Sequence, residues 1–132
     1  MSKSDQINTF SPGDVGVRNG KLFGLPFDYE ECQVVILPVP WEVTVSYRTG
    51  TALGPQAILD ASTQVDLFDP VWPDGWRAGF YLLPISKEWQ AKNEALRKLA
   101  GHCIAKLEQG VPADDRELLL HQGEVNAASS EL

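Results

Sequence analysis

At 132 residues, with 43% hydrophobic and 22% charged side chains, the chain has the size and composition of one small globular domain. A net charge of −7 argues against nucleic acid or an anionic membrane as partner, and no apolar run approaches the roughly 20 residues that span a bilayer. The polar N-terminus, MSKSDQINTF, lacks the apolar stretch of a signal peptide, so a cytoplasmic protein is expected.

Residues 1–31 read as an extended arm, because Pro12, Gly13, Gly16, Gly20, Gly24 and Pro26 interrupt every helical or strand period. The β-branched run from Gln33 to Pro38 predicts a buried, parallel strand. A loop over 39–53 follows, rich in Thr, Gly and aromatic residues. Gly54-Pro55 then opens a helix over 56–62, since proline suits the first helical position. Ile58 and Leu59 give that helix an apolar side for a sheet. Strand, loop and helix in this order predict the first half of a βαβ unit.

Val65–Asp69 alternates like a short strand, and Phe80–Leu83 is a further apolar run. Asp66 and Asp69 are spaced like a metal pair but fit a solvated face and a turn before Pro70 better. From Ser86 the period changes. Trp89, Leu96, Leu99, Ala100, Cys103, Ile104 and Leu107 recur at helical steps, with Ser86 as N-cap and Gly110-Val-Pro112 as stop. A second helix starts near residues 112–115, with Leu118, Val125, Ala128 and Leu132 as its stripe. Together they predict a helical hairpin over 86–132. The last helix carries no stop signal, which reads as a truncated chain. The expected organisation is one incomplete domain: arm 1–31, strand, loop and helix with short strands over 32–83, then the hairpin.

A search for chemistry finds little. No glycine-rich phosphate loop, HExxH or GxSxG is present. His102 and His121 read as structural or exposed helix residues, and Cys32 and Cys103 as reduced thiols. The exception is the 39–53 loop. It leaves the carboxyl end of a predicted strand, where ligands gather in open α/β sheets. Glu42, Ser46, Tyr47 and Arg48 supply charge and hydrogen bonds there, and Gly50 permits a tight turn. A plain structured connector fits the same residues.

The run VPWEVTVSYRTGTALGPQAI, within Val34–Ala61, resembles the N-terminal part of the ureohydrolases, the arginase/agmatinase family. Pro40, Thr44, Ser46-Tyr47-Arg48, Gly50, Gly54-Pro55 and Ala57-Ile58 match in order and spacing. GVRNGKLFGLPF and VDLFDP are similar to a subgroup of agmatinase-like proteins. The resemblance implies an α/β fold, the N-terminal part of a three-layer α/β/α domain with a mainly parallel sheet. It also implies two Mn²⁺ ions whose bridging hydroxide attacks a guanidinium carbon.

The family's metal motifs, GGDH, DAHxD and SxDxD, do not occur in these residues. No catalytic or metal-ligating residue and no cofactor is therefore expected in this chain; manganese and a small guanidino substrate belong to a full-length parent, expected to be a homo-oligomer. The 39–53 loop would line the substrate mouth or a subunit interface, with Glu42 attracting a cationic tail, Tyr47 offering a flat face and Arg48 paired with a carboxylate. The rival reading is a non-catalytic assembly protein derived from a ureohydrolase.

Overall fold

The computed structural model describes residues 2–132, which fall into two compact units. The first joins residues 2–38 to Gly54–Ile85; the second joins Val39–Leu53 to Ser86–Leu132. No helix among the described residues is long and apolar enough to cross a membrane.

In the first unit, helix α1 (Lys3–Thr9) occupies part of the expected extended arm. The breakers begin only at Pro12, and Ser2 and Asp5 form a reciprocal capping box that satisfies early amides. Lys3 fastens the helix: its ammonium donates to the carbonyls of Glu31 and Ala78 and lies 5.1 Å from the Phe27 ring centroid.

Strand β1 (Val34–Ile36) pairs in parallel with β2 (Phe80–Leu82), Val35 opposite Tyr81. The ladder continues outward through Gln33 to Ala78 and Leu83 to Ile36. Helix α2 (Gly54–Ala61) lies in the connection between the strands. Burial departs from expectation in both elements. Val34, Val35 and Ile36 are 38–43% exposed, because two strands cannot cover both faces of a parallel sheet. Helix α2 buries no residue, and Ile58 is 63% exposed rather than packed. What is buried is the turn after it. Ser62 Oγ accepts from the Phe23 amide, and Gly16 passes so close that a Cβ would meet the Thr63 carbonyl oxygen at 2.1 Å.

Val65–Asp69 forms no strand. Asp66 accepts from the Phe68 amide and Asp69 from those of Val71 and Trp72, so both carboxylates are spent on turns. The core is aromatic: Leu25, Phe27 and Trp76 are buried, with Phe10, Phe23 and Phe80 packed against them. Phe27 stacks on Trp76 at 6.2 Å and Phe10 approaches it at 4.9 Å.

The second unit holds α3 (Lys87–Glu108) and α4 (Arg116–Ser130). Ser86 caps α3 through the Trp89 amide, and Gly110, at φ +84°, follows its end. Asp115 caps α4 through the amides of Glu117 and Leu118. The helices pack with opposite senses. Lys92 near the start of α3 meets Glu131 beyond the end of α4, and Lys106 near the end of α3 meets Glu117 at the start of α4. Ala100 and Val125 are buried between them with Val43 from the loop.

Candidate functional site

The 39–53 loop is anchored from within and by α3. Val43 is fully buried, and Trp41 meets Trp89 edge-on at 5.6 Å. Asn93, buried on α3, accepts the Glu42 amide at 2.7 Å. Arg97, one turn further along α3, donates to the carbonyls of Glu42, Val43 and Val45. Four polar groups of one loop segment are thus satisfied by two side chains of one helix, as partly buried backbone requires.

Glu42 itself is turned inward on the loop. Its Oε2 accepts from the Gly50 amide at 2.7 Å, the Thr51 hydroxyl at 3.1 Å and the Ala52 amide at 3.1 Å. The Ala52 hydrogen bond, opposed by desolvation and joined by Gly50 and Thr51, holds the carboxyl below its ordinary range. Glu42 is therefore an anion that folds the loop. Gly50 adopts φ +123°, a region disfavoured for side-chain-bearing residues, and this presents its amide to Glu42.

The other three candidates face water. Ser46 and Arg48 are exposed and Tyr47 is 85% exposed. Arg48 makes no ion pair with a carboxylate among the described residues; its guanidinium lies 5.3 Å from the Tyr47 ring centroid. The loop thus has a tethered part, 41–45 and 50–52, and a free tip, 46–49.

Asn93 and Arg97 were not singled out by sequence. Asn93 occupies a stripe position four residues after Trp89, and that polar residue in an apolar row was the available signal.

A second constellation lies on the helix pair. His102 of α3 and Glu117 and His121 of α4 each offer a ligand atom, all within 4.8 Å of one another. His102 Nε2 is 3.1 Å from Glu117 Oε1, while Lys106 binds Oε2 of the same carboxylate. Lys106 first, and then His102, hold the Glu117 carboxyl below its ordinary value. Along the sequence the two histidines stand apart; the Glu117–His121 spacing of four, which puts both on one helix face, is the signal the sequence carries. This donor set does not fit a two-manganese centre. One carboxylate and two imidazoles can surround a single ion, whereas two hard ions sharing an oxygen need several carboxylates.

A model of the arginase family matches residues 32–105. The N(1)-aminopropylagmatine ureohydrolase of Synechocystis sp. is 46% identical over 41 residues, 31% of this chain and 13% of that protein. The protein of the same name from Thermus thermophilus is 48% identical over 40 residues, 30% of this chain and 14% of that protein. The chain thus spans only 13–14% of the length of these relatives. No solved structure matches it.

Proposed function

The chain belongs to the arginase family, and on that premise we propose that it forms the N-terminal portion of an agmatinase-like ureohydrolase. The intact enzyme would hydrolyse a guanidino C–N bond and release urea. The substrate would be an alkylguanidine carrying a second amine, the class to which the names of the relatives point. The observation that carries the reading is the family match over 32–105, which takes in β1, the whole 39–53 loop, α2 and most of α3.

Within that enzyme the chain contributes a parallel strand pair toward a three-layer α/β/α sheet and a loop fixed by Asn93 and Arg97. Its role is to shape the substrate mouth or a subunit contact with the exposed tip at Ser46, Tyr47 and Arg48. The Tyr47 face opposite the Arg48 guanidinium suits a cationic alkylamine. Glu42 keeps the loop closed and acts on substrate only through it, because its carboxylate already serves Gly50, Thr51 and Ala52. The two metal ions would be held by residues outside this chain.

The transcript and its product test the reading together. A continuous frame that encodes GGDH and DAHxD downstream, whose product releases urea from agmatine or its aminopropyl derivative, is the expected result. In that product Tyr47→Ala should raise KM several-fold with kcat less affected. A 132-residue product that copurifies with a separate ureohydrolase, and alters its assembly, would favour the second reading, an accessory protein. Strand β1, paired on one side only in a two-stranded sheet, is what favours that alternative, since open sheet edges promote association.

A further inference from the structure

We propose that His102, Glu117 and His121 form a mononuclear site for a zinc-like divalent ion that joins α3 to α4. The site is separate from the two-manganese chemistry of the family, and it rests on residues of the helix pair alone.

The placement follows from helix geometry. Glu117 and His121 are one turn apart on α4, so their side chains rise from one face. His102 reaches that face from the last third of α3, and its ring lies 5.8 Å from the His121 ring at an angle of 67°. Ligand atoms around a tetrahedral zinc with bonds of about 2.0–2.1 Å stand roughly 3.3 Å apart. His102 Nε2 and Glu117 Oε1 already meet that spacing at 3.1 Å. The remaining ligand atom, from His121, lies within 4.8 Å of both.

A second observation points the same way. His121 Nδ1 is shut off from solvent and has no hydrogen-bond partner among the described residues. A buried imidazole nitrogen left unsatisfied calls for an explanation, and a bound ion is one of the few available. The donor chemistry then selects the ion. Two imidazoles and one carboxylate match the His2Glu set of three-ligand zinc sites, which leave a fourth position to water. Access is open, since the His102 and Glu117 side chains are 47% and 49% exposed. Lys106 holds the carboxylate oxygen turned away from His102, so it orients Glu117 while leaving Oε1 to the ion.

The test is calorimetric titration of ZnCl2 into the 132-residue chain carrying Cys32→Ser and Cys103→Ser, which removes thiol binding. One zinc per chain is expected, with His102→Ala, His121→Ala and Glu117→Gln each weakening it at least about tenfold. Zinc should also raise the melting temperature, and this shift should vanish in the variants. His102 is exposed, so His102→Ala should keep its far-ultraviolet helical signal even if His121→Ala disturbs packing. No uptake at roughly 100 µM zinc, or uptake unchanged by His102→Ala in a folded protein, would overturn the proposal.

Discussion

The two compact units are ordered by different physics. In the unit built from residues 2–38 and 54–85, rings do the holding: Phe10 and Phe27 pack against Trp76 beside a buried Leu25, while strand β1 remains exposed. In the unit built from 39–53 and 86–132 the buried apolar residues are aliphatic, with Val43, Ala100 and Val125 at their centre. There the loop is fixed by backbone amides that donate to Asn93 and Glu42 and by carbonyls that accept from Arg97. A ring core tolerates polar change at its surface and fails when a ring is lost. A tethered loop behaves in the opposite way: single polar groups set its shape, and the shape positions its exposed tip.

The sharpest way to break this comparison is Trp76→Ala. Loss of a ring touching two others should cost about 3–5 kcal/mol, read as a fall in denaturation midpoint. A cost near zero would show that the stack is not the core. In the other unit, Asn93→Leu removes no comparable volume but strands the Glu42 amide. About 1–3 kcal/mol is expected, with faster hydrogen exchange at Glu42 as its local sign. Gly50→Ala should cost roughly 1–2 kcal/mol through its positive φ, and protection of the Ala52 amide should drop with it.

Glu42 sharpens the contrast through pH. Its folded pKa is depressed, so its contribution is present above the ordinary carboxylate value and is lost as pH falls through the folded one. The Gly50 and Ala52 amide shifts should therefore titrate together below the ordinary range, and Glu42→Gln should abolish that titration. Smallest of all is Tyr47→Ala, expected to change stability by less than about 0.5 kcal/mol because the side chain is 85% exposed. A larger loss would mean that the tip is part of the fold.

Sequence showed the elements more readily than their surroundings. Ser86 and Asp115 announce α3 and α4 through local capping, and the Val34–Ile36 run announces β1 through composition, since both signals lie within a few residues. Burial is a long-range property, so the exposure of β1 and Ile58 was not legible. Helix α1 was hidden because the glycines and prolines from Pro12 onward coloured the whole arm. Val65–Asp69 alternated without a partner strand, and its aspartates were taken by turns instead. At the site, the loop was legible as a segment but the work of Glu42 was not. An acid beside an aromatic suggests a cation, whereas the amides of Gly50 and Ala52 that claim it lie 8 and 10 residues on. Asn93 and Arg97 are more than 50 residues away, beyond any local pattern.

The central proposal is that this chain would build scaffold and mouth for a two-manganese hydrolase whose metals other residues hold. Calorimetric titration of MnCl2 into the chain tests that most directly, because the proposed centre would take up two ions. No submicromolar manganese uptake is expected, and no urea release from agmatine when manganese is in excess. Two manganese ions per chain bound with submicromolar affinity would contradict it.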